Sequence, residues 1–247
     1  MAGAREFEIR REIELAATPE RVWEAITTRQ GMAGWFMDQE PLPEAFRSAW
    51  DPPRRMRIEL PPAENGATQA FEYVVEALSG GRTRLRFVHS GFLGHDWEGE
   101  FDFGELTAHG WDMYLHTLAE YLEHFGGLPV AYVGVDAPPG TATDRAWPQL
   151  LAALGLEPSV TQGDHVRLTP EGMQSIEGVA DWVGPTFLGV RTPDALYRFH
   201  GRASIGMPIA AGHHLFGEDV DGEQARTAWE TWFGRVFATA PAPHSRP

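Results

Sequence analysis

The stretch "TAHGWDMYLHTLAEYLEHFGG", residues 107–127, constrains the fold more than any other part of the chain. Trp111, Leu115, Leu118, Leu122 and Phe125 recur at helical spacing and Gly126 closes the run. Tyr114 and Tyr121 flank that stripe. A helix with one apolar stripe must cover something, and the residues before it read mostly as strands. "EFEIRREIELAA" places Phe7, Ile9, Ile13 and Leu15 on one parity with charges mostly on the other, the period of a half-buried strand. Thr18 as N-cap, Pro19 at the first helical position and Glu20 in the first turn predict a short helix with Val22, Trp23 and Ile26 inward, and Gly31 and Gly34 interrupt the segment after it. After a Pro-rich loop come "RRMRIELPP", "AFEYVVEAL" and "TRLRFVHSGF"; Gly80 and Gly81 between the last two predict an antiparallel hairpin. Phe71, Tyr73 and Val75 share one face of it, as do Leu85, Phe87 and His89 on the partner strand. Residues 1–126 thus predict an α+β unit whose last helix covers an antiparallel sheet.

Residues 127–240 repeat that order weakly. "PVAYVGVDAPPG" reads as a strand and turn, and "DRAWPQLLAAL" sets Arg145 and Trp147 at the mutual spacing of Arg21 and Trp23. Strands are expected in "DHVRLTP", "SIEGVADWV", "TFLGVRT", "ALYRFHGRAS" and "AGHHLF", and a helix in "GEQARTAWETWFGRVFA". There Ala225, Trp229, Trp232 and Val236 reproduce the steps of Trp111, Leu115, Leu118 and Leu122. A second, degenerate unit is therefore expected, followed by a Pro-rich flexible tail at 241–247.

At 247 residues the chain is long enough for one large domain or two small ones. A formal charge of -15 argues against nucleic acid and against an anionic membrane surface. Neither an apolar run of membrane-spanning length nor a basic-then-apolar leader is visible, so a cytoplasmic location is expected. Zero cysteines exclude disulfides, thiolate zinc sites and a cysteine nucleophile. HExxH, GxSxG, a phosphate-cradling loop and a strand-linked GxGxxG are all absent, which removes the usual support for metalloprotease, serine hydrolase, NTPase and dinucleotide-binding readings.

"EIELAATPERVWEAITTRQGMAGWF", "RFVHSGF" and "GWDMYLHTLAEYL", in that order, resemble the bacterial homologues of the activator of the heat-shock-protein-90 ATPase, within the START-like (SRPBCC) superfamily. The resemblance covers most of residues 6–125, and "LPEAFRSAWDPPRR" departs from the compact glycine-rich stretch it implies. It implies a helix-grip architecture, with an antiparallel sheet curled around the long helix and two short helices closing one end. A curved sheet around a helix is not always filled by its own side chains. The resemblance therefore implies a mainly apolar pocket bounded by Trp35, Phe36, Phe71, Tyr73, Phe87, His89, Trp111, Tyr114 and Leu118, with Trp35 and Phe36 at its mouth. Plain core packing is the alternative for each of these residues.

Among polar groups, His89 shares strand parity with Leu85 and Phe87 and is expected to point inward. "GHDWEGEFDFGE" collects His95, Asp96, Glu98, Glu100, Asp102 and Glu105, the makings of an oxygen-rich cation site or an acid pair, but the alternation with Trp97, Phe101 and Phe103 reads instead as a solvated strand and loop. His213 and His214 are adjacent on a strand and face opposite ways, so they do not readily share one metal. No metal, cofactor or catalytic group is expected. The leading functional expectation is binding of a small hydrophobic ligand. The alternatives are a cyclase- or hydrolase-like enzyme pairing His89 with Tyr73 or Tyr114, and a module that binds a protein partner or a second copy of itself.

Overall fold

The computed structural model describes residues 5–97 and 103–238. The chain divides into two compact units, Met1–Gly127 and Leu128–Pro247. In the first, β1 (Glu6–Leu15) leads into α1 (Pro19–Thr27) and α2 (Arg29–Ala33), and then come β2 (Arg47–Asp51), β3 (Arg55–Glu59), β4 (Thr68–Ala77), β5 (Thr83–Phe92) and α3 (Phe103–Glu120). A π-turn at Tyr121–Phe125 continues α3. Thr18 caps α1 through its backbone alone, its carbonyl accepting from Val22 N–H, and Val22, Ala25 and Ile26 form the buried stripe. Trp23, expected inward, lies at the edge of that stripe, half-buried with its ring 5.0 Å from Trp50.

The sheet runs β1-β5-β4-β3-β2, all antiparallel. Residues directly opposed across such a ladder share a face, so the register writes out the surface beneath α3. Ile9, His89, Phe71 and Ile58 form one cross-strand row; Arg11, Phe87, Tyr73 and Met56 form the next. Arg11 is the charged member, and its guanidinium meets Asp112 of α3, Nη2 donating to Oδ2 at 3.0 Å. This ties helix to sheet.

β2 is not visible in the sequence, where its residues read as part of a Pro-rich loop. It pairs Arg47 with Ile58 and Trp50 with Met56, and its register slips between Arg47 and Ala49. In a regular strand two residues three apart face opposite sides; the slip returns Arg47 and Trp50 to one face, extending both rows. α3 also begins earlier than its apolar stripe, so Glu105 lies in the first helical turn rather than in a strand or loop. Phe103 belongs to that turn as well, while Asp96 sits in the turn after β5 and accepts from Asn65 at 2.7 Å. Glu98, Glu100 and Asp102 fall outside the described residues, as does the tail at 241–247.

The second unit runs β6 (Val130–Asp136), α4 (Ala146–Ala153), β7 (His165–Leu168), β8 (Ile176–Val183), β9 (Phe187–Arg191), β10 (Ala195–His200), β11 (Ala210–Phe216) and α5 (Gly222–Val236). Its sheet order is β6-β11-β10-β9-β8-β7. In both units the first strand pairs with the last, the others follow in reverse order, and a helix closes the chain. Each is thus a helix-grip unit, and the second carries one more strand. Leu188, Val190, Phe199, Trp229, Trp232 and Phe233 belong to the second unit's core. On the opposite face of that sheet, Arg198 of β10 reaches over β9 to Asp181 of β8, donating at 3.0 and 2.7 Å, with both side chains almost wholly buried.

Candidate functional site

The two cross-strand rows of the first unit do not fill the space between sheet and helices. A cavity of about 140 Å³ remains. Met56 and Ile58 of β3 and Phe71 and Tyr73 of β4 form its floor, and Trp111 of α3 closes one side. Ile26 and Thr27 of α1, Met32 of α2, and the Trp35–Phe36 pair after it form the roof. Gln39, Pro41 and Leu42 border the cavity from the following loop, and Arg47 and Trp50 from β2. Of these rim residues Gln39 and Trp50 are exposed, which places the mouth beside them. An engineered apolar cavity of about 150 Å³ stays dry and takes up benzene, so the space suits roughly one aromatic ring.

Five of the nine residues expected to bound a pocket line this cavity: Trp35, Phe36, Phe71, Tyr73 and Trp111. Phe87, His89, Tyr114 and Leu118 stand outside the lining. Phe87 backs the wall, its ring 4.2 Å from Trp111 and 4.9 Å from Tyr73. His89 stacks on Phe71 at 4.4 Å, Tyr114 meets Phe36 edge-on at 4.6 Å, and Leu118 is fully buried. The cavity therefore lies toward the short helices and β2, and α3 contributes Trp111 alone to its lining. Sequence reading missed Arg47, Trp50, Met56, Ile58, Ile26 and Met32. The alternation in "RRMRIE" could have found Met56 and Ile58, whereas nothing local betrays the register slip that turns Arg47 and Trp50 the same way.

The polar atoms around the cavity are nearly all accounted for. Trp35 donates its indole N–H to the Ala25 carbonyl at 2.9 Å, and Thr27 donates its hydroxyl to the Trp23 carbonyl at 2.6 Å. Trp111 donates its indole N–H to His89 Nδ1 at 3.0 Å. His89 is thus an acceptor for the helix rather than a partner of Tyr73 or Tyr114, and burial pulls its pKa down to about 4. Its Nε2 is enclosed without a partner. The Arg47 guanidinium lies over Trp50, 3.7 Å from the ring centroid, and its Nη1 donates to exposed Glu44 at 2.7 Å. Tyr73 differs from all of these: it is 8% exposed, and its hydroxyl makes no hydrogen bond to the described residues. Burial alone raises its pKa, so the phenol stays protonated.

In the second unit His213 and His214 are both buried and face opposite ways, as expected for neighbours on a strand. The His213 ring meets Trp229 of α5 at 4.6 Å, while the His214 ring meets Tyr132 at 5.3 Å. Burial, followed by the charges of His214, His200 and Arg198, holds the pKa of His213 well below its ordinary value.

No family model matches the chain, and no curated protein does. Among solved structures it is similar to the Aha1 dimer of Colwellia psychrerythraea, at 18% identity over 49% of this chain and 98% of that one, with a TM-score of 0.36. It is also similar to DynU16 from the dynemicin biosynthetic locus, at 15% identity over 94% and 96% of the two chains, with a TM-score of 0.40. A third is the di-domain ARO/CYC protein BexL of the BE-7585A biosynthetic pathway, at 15% identity, 97% and 99% coverage and a TM-score of 0.38. The first spans about half of this chain, and the other two span nearly all of it.

Proposed function

We propose that the first unit binds a small hydrophobic molecule in the cavity between its sheet and helices, held by Trp35, Phe36, Phe71, Tyr73 and Trp111. The observation that carries this reading is the cavity itself: about 140 Å³ walled mainly by aromatic and aliphatic side chains, with the exposed residues Gln39 and Trp50 on its border. Apolar guests enter such spaces because the wall and the guest both leave water. Phe87, His89 and Tyr114 support the wall from behind, so this reading gives them a positioning role, and it leaves Leu118 to the core. Ligand-observed NMR with toluene tests it. Saturable binding is expected for the intact chain and loss of binding for Ile58→Trp, which puts an indole where the guest would sit. A cooperative melt of that variant shows that its fold is kept, since overpacking of this kind costs about 1–3 kcal/mol. Absence of saturable binding to the unaltered protein removes the proposal.

A further inference from the structure

Resting on that reading, we infer that the guest is a neutral aromatic compound of about one ring bearing an oxygen that accepts a hydrogen bond, such as an aryl ketone, and that Tyr73 selects it. Most donors around the cavity are already taken. The indoles of Trp35 and Trp111 and the hydroxyl of Thr27 all donate to protein acceptors. Gln39 and Arg47 stand at the mouth. Among the described residues that leaves the Tyr73 hydroxyl as the one interior donor of the lining without a partner.

Its direction follows from burial. Several side-chain atoms, His89 Nε2 among them, are sealed inside protein with no partner, and the Tyr73 oxygen is not one of them. The oxygen therefore looks onto open space, and the space that Tyr73 borders is this cavity. An apolar guest leaves that O–H unpaired away from water, whereas a guest with a matched acceptor completes the bond, a difference of about five- to tenfold in affinity.

Charge selects the neutral form. The interior lining carries no ionic side chain among the described residues. On either side of the border residue Gln39 in the chain, Asp38 and Glu40 pair with Arg29, and Arg47 pairs with Glu44, so these pairs hold two cations and three carboxylates. A carboxylate guest meets a surplus of its own sign there, and its desolvation finds no compensating cation inside.

The test compares acetophenone with cumene, which match in heavy-atom count and branching but differ by a carbonyl oxygen in place of a methyl group, on the full chain and on Tyr73→Phe. The ratio of the two dissociation constants is expected to shift about five- to tenfold against acetophenone in the variant, with cumene binding retained. Tyr73→Phe is expected to melt no lower than the unaltered protein, because it removes only an unpaired polar atom. A ratio unchanged by the substitution overturns the inference while leaving the cavity reading intact. Benzoate binding as tightly as acetophenone overturns its neutral-guest part. If neither cumene nor acetophenone binds the unaltered protein, the cavity reading itself fails and the inference goes with it.

Discussion

His89 shows how much one side chain depends on the group across from it. Its parity with Leu85 and Phe87 is enough to point it inward, but its partner, the Trp111 indole, comes from a helix that begins beyond the end of β5. Because Nδ1 accepts that N–H, the neutral ring carries its proton on Nε2. An unfolded histidine titrates near pH 6.5, whereas the folded one is held down to about 4 by burial. Between those values the unfolded chain binds a proton that the folded chain refuses. The contribution of His89 to stability is therefore full above about pH 6.5 and is lost as the pH falls toward 4. Nitrogen-resolved histidine NMR at pH 5 is expected to show His89 neutral in the Nε2–H form. Protonation of that ring near pH 6 would contradict its burial, and melting temperatures falling steadily below pH 6.5 are the matching thermodynamic sign.

At the scale of strands and helices, two devices are hidden from local sequence. The first is the register slip in β2, which brings Arg47 over Trp50 and so builds the rim of the cavity. The second is Gly189 on β9, which lies between the two strands joined by the Arg198–Asp181 pair and is opposed to Arg198 in the ladder. A Cβ at position 189 would stand 2.7 Å from an Arg198 nitrogen and 3.0 Å from Trp182 Cβ, so the absent side chain is what lets the guanidinium cross. Breaking a buried ion pair leaves an uncompensated charge and costs about 3–5 kcal/mol. Gly189→Val is accordingly expected to destabilise the second unit by about 3 kcal/mol in denaturant unfolding. A loss below about 0.5 kcal/mol, the usual scatter of an inconsequential substitution, would show that the pair reaches across β9 regardless. Elements whose register follows from hydrophobic alternation, such as the β4–β5 hairpin, are legible; these two are not, because each depends on a neighbour strand further along the chain.

Over the whole molecule the two units repeat one topology and, within it, one contact. His89 on β5 meets Trp111 of α3, and His213 on β11 meets Trp229 of α5, so the last strand of each unit presents a buried histidine to a tryptophan of the closing helix. By that contact Trp229 is the counterpart of Trp111, one turn beyond the Ala225 that stripe spacing alone would choose. Each unit has its own sheet and closing helix, and residues 1–127 expressed alone are expected to be monomeric and to unfold in a single cooperative transition; aggregation of the fragment would mean that its core is not self-sufficient. Apart from β2, the order of strands and helices, the inward parity of Phe71, Tyr73, Phe87 and His89, and the stripe of α3 were written in the sequence, because period-two and helical spacing are local consequences of backbone geometry. Tertiary structure alone decided that five of nine expected residues line the cavity, that α3 gives it only Trp111, that β2 exists and forms its rim, and that the Tyr73 hydroxyl is left without a partner among the described residues. Those outcomes depend on how far strands slip and where donors find acceptors across long separations in the chain, and no window of neighbouring residues carries that information.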